Sequence, residues 1–222
     1  MSTFPFAMVG FDLDGTLVDT QGDLGVALNH ALGLIGRAPV PLDKVERLIG
    51  GGLRRMLLRA LDETGGALPE AEFAALYPEV IAHYEANIAV HSRPYEGSLA
   101  ALEELSDLGC ALSVVTNKPE RLALKLLGEL DMLSQFAVVI GGDSAARPKP
   151  HADPIEAAIE RSGGTGKFAM VGDSSFDVGA ARAAGVPALV LGFGYNDLPP
   201  HELGADAVIG HFDELVEALR RL

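Results

Sequence analysis

Five short apolar runs, none alternating with polar residues, constrain this chain most: Phe6–Phe11, Ala111–Val115, Phe136–Ile140, Phe168–Val171 and Pro187–Leu191. A strand with one wet face alternates in period two, whereas a strand covered on both faces reads as a continuous apolar run. Between the later runs lie segments of helical spacing, Glu96–Leu108, Pro119–Leu130, Pro154–Ser162 and Ser175–Ala184. Pro119 suits a first helical turn, where a missing N–H costs nothing. Strand and helix in alternation predict an α/β fold, a doubly wound parallel sheet with a Rossmann-like core.

One interval breaks the rhythm. Close to 100 residues separate the first run from the second, whereas a strand–helix–strand unit needs only ~30. The excess has helical spacing throughout, over Leu24–Ile35, Leu42–Leu61 and Pro69–Ile88, with Leu53, Met56, Leu57, Ala60 and Leu61 on one face. The expected organisation is a core of residues 1–18 and 92–222, with an all-helical cap inserted at 19–91.

Charge narrows the partners. Seventeen basic against 31 acidic residues give −14, which argues against a broad nucleic-acid footprint. An anionic ligand would need a local basic patch or a metal. The longest stretch without a charged residue, Ala183–Asn196, is 14 residues long and interrupted by Gly185, Pro187, Gly192 and Gly194. That is too short and broken for a membrane span. The first residues show no signal-peptide pattern, so a cytoplasmic protein, monomer or homodimer, is expected. The single cysteine, Cys110, excludes an internal disulfide and reads as a buried structural thiol.

In doubly wound sheets, ligands bind beyond the carboxyl ends of the strands. After the first run comes Asp12-Leu-Asp14-Gly-Thr-Leu-Val-Asp19, and after the second Thr116-Asn117-Lys118. The third is followed by Gly141-Gly-Asp-Ser and then Arg147-Pro-Lys149-Pro, the fourth by Gly172-Asp173-Ser-Ser-Phe-Asp177. Any one of these could cap a helix. Four together, on one sheet edge, are hard to explain as caps. Asp12, Asp14 and Asp173 side by side would repel unless a divalent cation neutralised them, and oxygen-only ligands select Mg2+ above all. A lysine and a threonine hydroxyl beside that ion suit a phosphoryl group, and an aspartate can attack phosphorus to form an aspartyl-phosphate.

These segments resemble the signatures of the haloacid dehalogenase superfamily. Asp12-Leu-Asp14-Gly-Thr16-Leu-Val resembles the first, Val115-Thr116-Asn117 the second, Lys149 the third and Gly172-Asp173-Ser-Ser-Phe-Asp177 the fourth, in family order across the whole core. The resemblance implies Asp12 as the nucleophile and Asp14 as the acid and then the base. It implies Thr116, Asn117 and Lys149 around the phosphoryl group. Mg2+ would sit on the Asp12 carboxylate, the Asp14 backbone carbonyl and the Asp173 carboxylate, with Asp177 behind them. It also implies that the helical insert is a cap, entered through Asp19–Leu24 and left through His91–Gly97, which excludes water from the site.

Within that superfamily, dehalogenases lack the acid two residues after the nucleophile, which Asp14 supplies here. Mutases carry a cap-hinge histidine where this chain has Leu24, and phosphonate-cleaving members use a cap lysine, for which only Lys44 is available. A phosphatase of small phosphorylated metabolites is the expectation. Val18–Leu24 and Leu48–Leu53 are most similar to phosphoglycolate phosphatases. Another small phosphomonoester, a sugar phosphate or a nucleotide, is the alternative. The glycine triplet Gly50-Gly51-Gly52 with Arg54 beside it would then meet a substrate carboxylate, a helix N-terminus adding a favourable dipole. A plain glycine turn before an exposed helix face is the competing reading of that stretch.

Other patterns fail on their spacing. Asp12-x-Asp14 could begin a calcium loop, but Leu17 stands where that loop needs glycine. Gly163-Gly-Thr-Gly-Lys167 lacks both the leading glycine and the closing hydroxyl of a phosphate loop. A phosphoacceptor receiver domain shares acidic residues at strand ends, yet it carries no long insert after its first strand. None of the six histidines forms a His-Glu-x-x-His pair, and His151 alone falls close to a motif residue.

Overall fold

A computed structural model of the protein describes residues 4–222; Met1–Thr3, the first residues of the expected core segment, lie outside the described residues. Six strands form one parallel sheet: β1 (Met8–Phe11), β4 (Ala111–Val115), β5 (Val138–Ile140), β6 (Phe168–Gly172), β7 (Ala188–Leu191) and β8 (Ala207–Ile209). Their order is β5-β4-β1-β6-β7-β8, and every neighbouring pair is parallel. The chain starts in the middle, works outward through β4 and β5, then returns to the other side of β1. The reversal therefore falls at the carboxyl end of β1, the position where such sheets bind ligands.

The unbroken runs are explained by two apolar layers. Val9, Phe11, Leu112, Val114, Val171 and Leu189 face one layer, and Met8, Val115, Ile140, Met170, Ala188 and Val190 face the other. The first layer is closed by α5 (Ser98–Asp107), α6 (Glu120–Glu129) and α9 (Leu215–Arg220), the second by α7 (Asp153–Arg161) and α8 (Ser175–Ala184). Strand β8 was not anticipated: Ala207-Val-Ile is short, and Val208 faces solvent at the sheet edge. Cys110 is buried, as expected of a structural thiol, and its Sγ donates to the Phe6 carbonyl at 3.3 Å.

The long interval is helical, as its spacing predicts. It holds α1 (Gln21–Leu34), α2 (Leu42–Val45), α3 (Leu53–Glu63) and α4 (Glu70–Ala86). The helix expected over Leu42–Leu61 is broken instead. A single 3-10 turn, Glu46–Leu48, follows α2, and the chain then passes through Gly50, Gly51 and Gly52 at φ +105°, +75° and +88°. Three successive residues in that region end a helix, and glycine is the residue that reaches it without a Cβ penalty. The insert is joined to the sheet by a two-stranded antiparallel ribbon, β2 (Val18–Asp19) and β3 (Arg93–Pro94). No helix of the described residues is long and apolar enough to cross a membrane.

Candidate active site

The carboxyl end of β1 delivers Asp12, and the turn that follows brings Asp14 round to the same side. The Leu13 N–H donates to Asp12 Oδ1 at 2.7 Å and fixes that carboxylate. Strand β4 ends at Thr116, Asn117 and Lys118, the loop after β5 carries Lys149, and β6 ends at Asp173. Asp177 stands in the first turn of α8, where its carboxylate receives the N–H groups of Asp173 (3.2 Å) and Ser174 (3.0 Å) and the Ser174 hydroxyl (2.6 Å). A Cβ on Gly172 would collide with that carboxylate, so the motif needs glycine there for close approach. Asp12, Asp14, Thr116, Asn117, Lys149 and Asp173 thus line one cleft of about 620 Å³, its open mouth included, and Asp177 stands behind Lys149.

Charge in this cleft is unbalanced. Lys149 is buried, with its Nζ 3.0 Å from Asp12 Oδ1 and 2.6 Å from Asp177 Oδ1. Among the described residues no cation contacts Asp173; Thr16 donates its hydroxyl to Oδ1 at 2.7 Å and the Tyr195 N–H reaches Oδ2 at 2.7 Å. Three carboxylates therefore share one lysine. Burial pushes the Asp12 carboxyl up to about 6, against the pull of Lys149, and burial with Asp177 nearby holds Asp173 well above the ordinary carboxylate range. Oxygens of Asp12, Asp173 and Asp177 lie within 4.8 Å of one another, a spacing that suits a hard divalent cation. Asp177 already has a lysine on one oxygen and three donors on the other. Asp12 and Asp173 are the freer carboxylates.

Asp14 belongs to a different network. Its Oδ1 accepts from Lys118 Nζ at 2.7 Å and from the Thr20 hydroxyl at 2.8 Å. Lys118 Nζ also bonds the Tyr84 hydroxyl, from helix α4 of the insert, at 2.6 Å. Lys118 was visible in the sequence as part of a polar cluster but carried no assigned role. Tyr84 gave no signal, because its place in the apolar stripe of α4 is that of any core aromatic. Tyr195 was missed too: its hydroxyl donates to Asp19 Oδ1 at 2.6 Å and accepts the N–H groups of Thr20 (2.7 Å) and Gln21 (2.8 Å). It thereby caps the start of α1 from the core side, since Thr20 has its own hydroxyl on Asp14.

Across the cleft stands the insert. Gly51 and Gly52 line it, and a Cβ on Gly52 would lie 3.0 Å from the Asn117 carbonyl oxygen. Arg59 Nη1 pins this loop by donating to the carbonyls of Leu48 and Ile49, each at 3.1 Å. Arg54, expected to grip a substrate carboxylate, is exposed; it stacks 5.0 Å over the Phe73 ring and does not line the cleft. The helical turn of α3 that buries Leu53 and Met56 turns Arg54 away from it. Arg55 sits 5.1 Å over Phe176 of the core. Leu24 lines the cleft, whereas His151 and Lys44 are exposed and lie outside it. Asn117 donates its amide to the Lys149 carbonyl at 3.1 Å, while the Thr116 hydroxyl lines the cleft and accepts the Lys118 N–H at 3.2 Å.

Known proteins share both sequence and shape. A family profile described as haloacid dehalogenase-like hydrolase matches residues 9–191. A phosphoglycolate phosphatase of Agrobacterium fabrum is 46% identical over 210 residues, covering 94% of this chain and 90% of that protein. One of Caulobacter vibrioides is 39% identical over 213 residues, covering 96% and 90%. The crystal structure of a predicted phosphoglycolate phosphatase from Haemophilus somnus superposes with a TM-score of 0.88 at 30% identity, over 96% of this chain and 97% of that one. With its motif residues gathered at the switch point of the sheet, the chain belongs to the haloacid dehalogenase-like hydrolase family.

Proposed function

We propose that this protein is a Mg2+-dependent phosphatase of small phosphomonoesters, and that it hydrolyses 2-phosphoglycolate to glycolate and phosphate. The observation that carries the reaction type is the pair Asp12 and Lys149. A carboxylate at the end of the central strand, with a buried ammonium 3.0 Å away, is placed to meet a phosphoryl group. An Asp12 oxygen attacks phosphorus as the ester P–O bond breaks, and Asp14 gives its proton to the leaving oxygen. Asp14 then takes a proton from the water that attacks the aspartyl-phosphate; the P–O bond to Asp12 breaks, and phosphate departs. Lys149 and the Thr116 hydroxyl face the charge on the phosphoryl oxygens. Asp177 holds Lys149 in place.

The donor set fits Mg2+ through the Asp12 and Asp173 carboxylates and the Asp14 backbone carbonyl. When bound there, the cation supplies positive charge against the phosphoryl oxygens. Residues 19–91 act as a cap over the core of residues 1–18 and 92–222, with Gly51 and Gly52 at the substrate end, and the cap limits the cleft to small substrates. The substrate reading rests on the curated relatives named for phosphoglycolate. A mutase is disfavoured because Leu24, in the cleft, carries no proton to exchange.

Purified protein should hydrolyse 2-phosphoglycolate with a higher kcat/KM than glucose phosphates, nucleotides or p-nitrophenyl phosphate, and excess chelator should abolish turnover. Asp12→Asn should reduce turnover at least ~10³-fold in a folded protein. A sugar phosphate winning by a wide margin overturns the substrate; near-normal Asp12→Asn activity overturns the covalent route.

A further inference from the structure

With Arg54 outside the cleft, the cations that line it are Lys149 and Lys118. Lys149 lies between Asp12 and Asp177. Lys118 is engaged by different groups. Its side chain is 3% exposed, and its ammonium touches Asp14 Oδ1 at 2.7 Å and the Tyr84 hydroxyl at 2.6 Å, above the Tyr84 ring at 4.6 Å. Burial works against this charge, and Asp14 and Tyr84 more than offset it, so Lys118 remains a cation. The ammonium has three N–H donors, of which these two contacts take two. Tyr84 comes from the insert and Lys118 from the core, so the contact spans the cleft between them.

We infer that Lys118 is the specificity residue of the cleft: it reads a second negative charge, a carboxylate one carbon from the ester oxygen of the substrate, and Tyr84 holds it there. The inference rests on Asp14 being the group that protonates the leaving oxygen. In that geometry the leaving oxygen must approach Asp14, and Asp14 Oδ1 is fixed by Lys118 and Thr20. The carbon skeleton attached to the leaving oxygen then runs next to Lys118. A carboxylate two bonds from that oxygen meets the third N–H of the ammonium directly, whereas a neutral hydroxymethyl group brings no charge to it. A hydrogen bond between a buried ammonium and an ionised carboxylate is roughly twice as strong as one to a neutral group, which favours the charged ester. The same arrangement accounts for why the cap needs no arginine in the cleft to select a small carboxylated ester.

The experiment compares 2-phosphoglycolate with 2-hydroxyethyl phosphate, which has the same two-carbon skeleton and lacks the carboxylate. The readout is the ratio of their kcat/KM values in wild type and in Lys118→Met. Loss of the Asp14 contact harms both substrates alike and cancels in the ratio, so the ratio isolates recognition of the second charge. The preference for phosphoglycolate should fall by ~30-fold or more in Lys118→Met. In Lys118→Arg, which keeps the charge, much of the preference should survive. Should Lys118→Met not fold, Tyr84→Phe decides: with its anchor removed, the preference should fall several-fold, and an unchanged ratio overturns the assignment. A wild type with no preference between the two esters overturns the phosphoglycolate reading itself. A wild type that prefers phosphoglycolate, with a Lys118→Met variant that retains the preference, overturns Lys118 alone.

Discussion

Asp12 and Asp14 are two residues apart and stand in different surroundings because different groups touch them. Asp12 faces Lys149 and the acidic cluster, while Asp14 Oδ1 is tied to Lys118 and Thr20. Among the described residues no hydrogen bond engages Asp14 Oδ2, which leaves one oxygen of a fixed carboxyl to carry the proton of the proposed mechanism. Asp14→Asn keeps the shape and removes that proton. It should slow hydrolysis of an alkyl phosphate such as 2-phosphoglycolate by ~10² to 10⁴ and that of p-nitrophenyl phosphate, whose anion leaves unaided, far less. Steady-state rates on both substrates decide the matter; equal losses would reduce Asp14 to an anchor for Lys118. Which residues would gather was legible from the four motif segments. Which carboxylate would pair with which lysine was not, since pairing depends on side-chain direction in space.

At the scale of elements, the ribbon β2–β3 is the narrow neck between sheet and insert, and Asp23 closes it. Asp23 is buried in the first turn of α1, where its carboxylate accepts the N–H of His91 (2.9 and 3.0 Å), the N–H of Ser92 (2.8 Å) and the Ser92 hydroxyl (2.7 Å). The chain leaving the core is thus stapled to the chain returning to it. Asp23→Ala strands those donors in a buried neck, and hydrogen bonds to a charged group are each worth about 1.5–3 kcal/mol. A destabilisation of roughly 3 kcal/mol, or a Tm lowered by about 6–12 °C for a protein of this size, is expected. A thermal melt unchanged by the substitution would show the neck to be held by the β2–β3 pairing alone. The helical character of the long interval was legible, because it was too long for one crossover and its apolar residues keep helical spacing. The break at Gly50–Gly52 was not: Ile49, Leu53, Met56 and Leu57 keep helical spacing across the glycines, and periodicity cannot see three positive φ angles. Strand β8 escaped notice because a three-residue edge strand with Val208 turned outward has no unbroken apolar run to display.

For the molecule as a whole, the fold concentrates negative charge where the proposed substrate is an anion, and a chain of net charge −14 does nothing to offset this from a distance. Local arrangement has to solve the problem: one lysine serves the cluster of Asp12, Asp173 and Asp177, and the proposed divalent cation would complete the balance. Without metal, the cost falls on the acids. Burial raises the Asp12 carboxyl from its ordinary 3.8 to about 6, and Asp173 is raised as well. A group raised in the folded state contributes stability that is full below its unfolded value and is lost as pH climbs through the folded one. The metal-free protein should therefore lose stability as pH rises from 3.8 through about 6, as Asp12 ionises against its neighbours. Mg2+ has the opposite preference: it binds the ionised carboxylates and must displace the protons. A thermal-shift titration of chelator-treated protein with Mg2+ should accordingly show binding at least ~10-fold weaker at about pH 5 than at about pH 7.5, with the larger rise in Tm at the higher pH. Ca2+ should also stabilise, since it accepts the same oxygens, yet fail to support turnover, because its looser and larger coordination sphere can draw in both oxygens of Asp12 and leave none for attack. A Mg2+ midpoint independent of pH would mean that the cation is held away from Asp12 and Asp173, and that the acids of the cleft balance their charge without it.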